Sequence, residues 1–169
     1  MNLTDLPPVP ASLKDAYGKL IEDVACLTAR LGSRHRKHLH CVAGCSSCCR
    51  RFSVSPIEAA LISERLDFSS VLHCSKRSGD TCGLLIDDLC SIYSDRPLIC
   101  RTQGLPIGYI DEMNERIDVS VCSLNFSQDY PFTHGDLLFL DPFNRLLAEL
   151  NKRYCRKASI DITLRIDLG

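Results

Sequence analysis

Four cysteines stand together in the stretch CVAGCSSCC, at Cys41, Cys45, Cys48 and Cys49. Four more follow at Cys82, Cys90, Cys100 and Cys122. Thiolate is the soft ligand that selects zinc, copper(I) and iron–sulfur centres. A tetrahedral site needs four donors converging on the ion, at about 2.3 Å for Zn–S. Two or three intervening residues let two thiolates of one loop reach the same ion, and Cys41-x3-Cys45-x2-Cys48 meets that requirement. Neighbours in extended backbone point to opposite sides, so Cys48 and Cys49 do not serve one site equally. The vicinal pair suggests two sites sharing a wall, or one polynuclear cluster. Eight thiolates divide naturally into two sites of four, with Cys82, Cys90, Cys100 and Cys122 as the second half. Ligands scattered in this way would tie the chain together, which is a folding role in itself. All eight are expected to be metal ligands.

Eight thiolates outweigh the charge of two divalent ions, so positive neighbours are expected. Arg50 and Arg51 directly follow Cys49, Arg101 follows Cys100, and Arg96 stands in the turn before it. Cationic neighbours also favour the ligating thiolate. His35, His38 and His40 precede the burst, and His73 precedes Cys74. His40 and His73 are the histidines best placed to join a site, and Cys74 is the candidate for a ninth thiol ligand. Cys26 and Cys155 read as spare thiols on helices. A catalytic zinc site would keep an open position and use His or carboxylate ligands. No H-E-x-x-H, and no H-x-E with a downstream P-C-x-x-C, is present. No single cysteine stands apart with a His partner as a nucleophile would. The catalytic residues, if the chain is an enzyme, stay unassigned.

The elements that position these thiols follow from periodicity. Ser12 reads as the N-cap of a helix over 13–33, with Leu13, Tyr17, Leu20, Val24, Leu27 and Leu31 on one stripe. Ser55-Pro56-Ile57-Glu58 combines a capping Ser, Pro at the first helical position and a capping-box Glu, and starts a helix to about residue 65 or 66. Residues 83–93 read as a short hairpin around the acidic turn Asp87-Asp88. Ser94-Asp95-Arg96-Pro97 opens one or two helical turns carrying Cys100. Gly104, Pro106 and Gly108 break the chain. Residues 116–122 have β character, with Ile117, Val119 and Val121 on one face and Cys122 on the other. Asp141-Pro142 opens a helix over 142–157 with the stripe Phe143, Leu146, Leu147, Leu150 and Tyr154. Residues 159–168 alternate as a half-buried strand. These elements predict an α+β fold, a small single domain over 1–169 stapled by cysteine-ligated metal, with the cysteine-cluster core at about 41–122.

The 169 residues are 45% hydrophobic, enough for a core that does not depend on metal alone. The formal charge of −1 gives no global field toward nucleic acid or a membrane. Residues 1–51 are locally basic, with eight Lys/Arg against four Asp/Glu. No aromatic residues interleave with them as a base-stacking surface requires, so nucleic acid is not an expected partner. The opening MNLTDLPPVPASLKD has no basic n-region and no apolar h-region, so no signal peptide is expected. No apolar run approaches the roughly 18 residues of a membrane span. A cytoplasmic address and reduced thiols are expected, where a cysteine cluster reads as metal-binding rather than as a disulfide framework.

The segments CVAGCSSCC, then C-G-L-L, then C-S-I-Y-S-D-R-P-L-I-C-R resemble the YkgJ-like cysteine-cluster family of zinc- or iron-chelating proteins. The second block carries the resemblance most strongly, through Cys90, Ile92, Tyr93, Arg96, Pro97, Cys100 and Arg101. The resemblance spans about half the chain, from Cys41 to Cys122. It departs at one point: the family more usually has two residues between its first two cysteines, and here there are three. It implies metal chelation, with zinc or iron as the ion, and leaves the reaction open. Some relatives are iron–sulfur oxidoreductases, so an iron–sulfur cluster acting in electron transfer or redox catalysis is the alternative. Cys-x3-Cys-x2-Cys also resembles the ligand loop of radical S-adenosylmethionine enzymes. That fold needs a longer partial βα barrel and an early strand before the loop, where this chain has a helix and a basic link.

Overall fold

The computed structural model describes residues 5–66 and 80–168. The longest element, helix α1 (Ala11–Arg34), grows from the Pro-rich opening. Its first amides are satisfied by Pro10, whose carbonyl accepts from the N–H groups of Leu13 and Lys14. The expected cap, Ser12, lies inside the first turn instead. The predicted stripe holds: Leu13, Leu20, Val24 and Leu31 are buried, and Tyr17 and Leu27 pack at its margins.

Helix α2 (Pro56–Ser63) is the centre of the molecule, with Pro56, Ile57, Glu58, Ala59, Ala60 and Ile62 all buried. A helix apolar on every side is one packed on every side. One flank meets α1 and helix α4 (Asp141–Ala158) through Leu13, Leu20, Ile57, Ala60, Leu150 and Tyr154. The other meets Leu84, Ile92, Ile166 and Leu168. Each such fully buried aliphatic side chain contributes about 2 kcal/mol. The expected capping box is present, with the Ser55 N–H donating to Glu58 Oε2 at 3.3 Å. The Ile57 N–H is satisfied from α4, by Asn151 Oδ1 at 3.2 Å.

Strand β1 (Ser53–Val54) pairs antiparallel with β7 (Ile166–Asp167). The strand expected over 159–168 therefore narrows to two residues. Asp161 Oδ1 accepts from the Thr163 N–H and hydroxyl, which turns the chain, and Ile162 faces solvent. The expected hairpin is present as β2 (Leu85–Ile86) and β3 (Leu89–Cys90). Asp87 and Asp88 both have positive φ, at 49° and 61°. That is the primed two-residue turn that matches strand twist, and Asp is among the few side chains that accept it.

Pro97 precedes the single turn α3 (Leu98–Arg101), which carries Cys100. The expectation of a chain break through Gly108 is corrected. Strand β4 (Ile107–Asp111) runs through it and pairs antiparallel with β5 (Arg116–Ser120). It also pairs in parallel with β6 (Leu138–Phe139), a strand the sequence did not predict. Gly108 is required there because a Cβ would stand 2.6 Å from the Phe139 ring. Ile117, Val119 and Val121 do not face a core: all three are exposed. Leu146, predicted on the α4 stripe, is also exposed, and α4 buries Leu150, Asn151, Tyr154 and Cys155. The result is an α+β fold of four helices and short sheets among the described residues. No helix among them is long and apolar enough to cross a membrane.

Candidate metal centre

The cysteine burst lies in the connection between α1 and β1, a run of turns rather than a regular element. The Cys45 N–H donates to Val42 O at 3.0 Å, across Gly44 at φ 87°. The Cys49 N–H donates to Ser46 O at 2.8 Å. Two tight turns in succession therefore bring Cys45, Cys48 and Cys49 into a small space. All eight predicted thiols fall in described residues. Cys41 is exposed and the other seven are partly buried, every one of them free. Cys26 is exposed on α1 and Cys155 is buried on α4. Cys74 and His73 lie outside the described residues.

One corner is organised by a residue that the sequence did not single out. Asn125 is buried, and its N–H donates to Cys122 O at 3.0 Å. Its Oδ1 accepts from the His40 N–H at 3.0 Å, and its Nδ2 donates to Gly104 O at 2.7 Å. Only one orientation of the carboxamide satisfies both an amide N–H and a carbonyl, which fixes the assignment. The same Nδ2 lies 3.3 Å from Cys41 Sγ, where it donates to the sulfur. Gly104 has φ 89°, and a Cβ there would stand 2.8 Å from Cys41 Sγ. This position therefore asks for glycine twice, for its backbone angle and for room beside a sulfur. His40 contributes its backbone N–H, while its side chain is exposed. The signal available in the sequence was Cys-x2-Asn, too short to stand out.

A second corner forms where the burst meets the segment at residue 82. The Cys82 N–H donates to Cys49 O at 3.0 Å, the Arg51 N–H to Asp80 O at 2.9 Å, and Arg50 bridges to Thr81. Cys82 reaches the hairpin through its carbonyl, which accepts the Leu85 N–H at 3.4 Å. Cys90 lies opposite Leu85 in the ladder. Both thiols pack beside Leu84 and Ile92. Cys100 is held by α3, whose first amide is satisfied from below: the Leu98 N–H donates to Glu58 Oε1 at 3.0 Å. Glu58 also accepts from the Ser55 hydroxyl at 2.8 Å and from the Tyr17 hydroxyl at 3.5 Å. Burial first, and the Glu58 carboxylate second, hold the Tyr17 hydroxyl above its ordinary range and keep it a neutral donor.

Electrostatics follow the same geometry. Burial raises the Cys48 thiol pKa, and the thiols of Cys41, Cys45 and Cys122 raise it further. Burial pushes Cys49 up to about 11, with contributions from Cys48, Cys90 and Cys82. Cys100 is pushed up to about 12, first by burial and then by Cys82 and Cys90. Burial and Cys90 raise Cys82, while Arg51 opposes them. The expected positive neighbours are thus Arg51 beside Cys82 and Arg96 beside Cys100. Arg96 Nη1 donates to Cys100 O at 3.4 Å, and its guanidinium lies 3.8 Å over the Tyr93 ring. Arg50 is engaged with Asp80 at 2.8 Å, and Arg101 holds the loop through the carbonyls of Arg96 and Ser94, both at 2.6 Å.

The donor set is sulfur-only, which suits zinc and iron in kind. As placed, the thiols form loose neighbourhoods rather than closed cages. Among the described residues, no three His, Cys, Asp or Glu side chains are drawn tightly enough together to grip one ion. Residues 40–121 match the family model CxxCxxCC, described as "putative zinc- or iron-chelating domain". The match ends one residue before Cys122. No curated protein and no solved structure matches the chain.

Proposed function

We propose that this chain, a member of the CxxCxxCC family over residues 40–121, chelates zinc or iron through the thiolates of Cys41, Cys45, Cys48, Cys49, Cys82, Cys90, Cys100 and Cys122. The observation that carries the reading is that later thiol segments meet the burst: the Cys82 N–H donates to Cys49 O at 3.0 Å, and Asn125, bonded to Cys122 O, donates to Cys41 Sγ at 3.3 Å. Packing alone does not explain so many thiols in these segments, because a thiol is only a weak hydrogen-bonding group and gains little from another thiol nearby. A bound ion takes up their charge once each has lost its proton. Arg51 and Arg96 offset the remaining negative charge, and the Asn125 amide directs the Cys41 sulfur. In this reading the metal also joins the α1–β1 connection to the hairpin, to α3 and to the segment after β5.

The test is metal analysis and a visible spectrum of the native chain isolated without oxygen. Stoichiometric zinc in a colourless protein, or iron held by thiolate, supports the reading. A strong iron–sulfur chromophore with inorganic sulfide would assign a cluster instead. Protein without metal, carrying disulfides between these eight positions, would refute it.

A further inference from the structure

We infer that the eight thiols form two separate four-thiolate centres interleaved along the chain, one from Cys41, Cys45, Cys48 and Cys122, the other from Cys49, Cys82, Cys90 and Cys100. This rests on the chelation reading above and deepens it. The simplest division would set the burst against the trail, Cys41–Cys49 against Cys82–Cys122. The backbone contradicts that division at both ends.

Cys122 belongs with the burst. Asn125, three residues beyond it, donates its backbone N–H to the Cys122 carbonyl, and its carboxamide holds both the His40 N–H and the Cys41 sulfur. Gly104 leaves the space that this sulfur occupies. Cys49 belongs with the trail. Its carbonyl accepts the Cys82 N–H, and the residues after it run alongside Asp80 and Thr81. The Cys82 carbonyl accepts the Leu85 N–H, Cys90 stands opposite Leu85 in the β2–β3 hairpin, and α3, which carries Cys100, follows that hairpin in the chain. The two groups meet at the vicinal pair, Cys48 and Cys49. One peptide bond thus forms the shared wall. The positive groups divide unevenly: Arg51 lies beside the segment that carries Cys82, and Arg96 donates to Cys100 O, while the first group has the neutral Asn125 amide.

The experiment is anaerobic titration of the full-length chain with cobalt(II), checked by zinc content, in two double variants that separate the divisions. Cys45→Ser/Cys122→Ser removes ligands from one interleaved centre, and would remove one from each centre if burst and trail were the units. Cys45→Ser/Cys49→Ser does the reverse. The interleaved arrangement predicts two ions for the native chain, one for Cys45→Ser/Cys122→Ser and none held tightly by Cys45→Ser/Cys49→Ser. The opposite pattern overturns it. X-ray absorption of the zinc-loaded native chain is independent of variant folding. It should show four sulfurs per zinc and no short metal–metal vector. A strong metal–metal vector, meaning one thiolate-bridged cluster, overturns two separate centres while leaving chelation intact. Absence of any bound ion in the native chain overturns both.

Discussion

Replacing Asn125 by alanine tests whether this side chain holds the first corner together. Its carboxamide satisfies Gly104 O, which is enclosed, and the His40 N–H, which is partly enclosed. Leaving a buried backbone group without a partner costs about 1–3 kcal/mol. Taking the middle of that range for the carbonyl and the low end for the amide, Asn125→Ala should destabilise the chain by about 3 kcal/mol. For a chain of this length that is roughly 6–12 °C in Tm. The variant also removes the N–H donor to Cys41 Sγ. Losing an outer hydrogen bond to a metal ligand typically lowers affinity by about 10–100-fold. Calorimetry measures the first effect, and competition with a chromophoric chelator the second. Asn125→Asp sharpens the test. It keeps the acceptor for the His40 N–H and sets an oxygen against Gly104 O and the Cys41 sulfur, so its metal affinity should fall at least as far as in the alanine variant. His40→Ala should be neutral, because only its backbone is used. A Tm within about 1 °C of the native value for Asn125→Ala, or native metal affinity in Asn125→Asp, would refute the reasoning.

Gly104→Ala places a methyl 2.8 Å from Cys41 Sγ at a backbone φ of 89°. The left-handed conformation alone costs about 1–2 kcal/mol, so Tm should fall by several degrees, with weaker metal binding visible in the same chelator competition. Glu58→Gln turns an amide N–H₂ against one of two donor pairs, Ser55 N–H with its hydroxyl or Leu98 N–H with Tyr17. A loss of about 1–3 kcal/mol should appear as a lower urea midpoint with an unchanged slope, and a native midpoint would count against Glu58 as the support of α3. The Asp136 carboxylate accepts from the Thr133 hydroxyl and N–H, and from Arg34, which together hold its pKa well below the ordinary carboxylate range. A depressed folded-state value gives stability that is present above the unfolded value of about 3.9 and is lost as pH falls below it. The Tm gap between the native chain and Asp136→Asn should therefore stay constant near neutral pH and close in acid. A gap unchanged at about pH 2 would contradict that sign.

What the sequence made legible was local. The Ser55–Glu58 capping box and the Asp87–Asp88 hairpin turn are each decided within four residues, and both appear as expected. The four cysteines of the burst were legible as a group because their spacing is itself the signal. What remained hidden depends on partners far along the chain. Strand β4 reads as broken at Gly108, yet the glycine is there to admit the Phe139 ring from β6. The alternation of residues 159–168 looks like a strand, but Asp161 and Thr163 form a turn, and the strand itself is Ile166–Asp167, paired with β1. The proposed grouping of thiols was hidden for the same reason. It depends on Asn125 reaching back to residue 40 and on Cys82 meeting Cys49, neither of which spacing encodes.

The Asn125 tether also sets an order of events during synthesis. The residues it joins, His40 and Asn125, are separated by 85 positions. A ribosome adds about 5–20 residues per second, so the burst emerges several seconds before the segment that completes its corner. During that interval Cys45, Cys48 and Cys49 are presented on a nascent chain without their later partners. The vicinal thiols then depend on a reducing surrounding, or on early capture of an ion by the burst alone, to reach the folded state unmodified. Moving Asn125 further from the burst by an insertion would lengthen that exposure while altering the loop-closure entropy only slightly, since that cost grows with the logarithm of length.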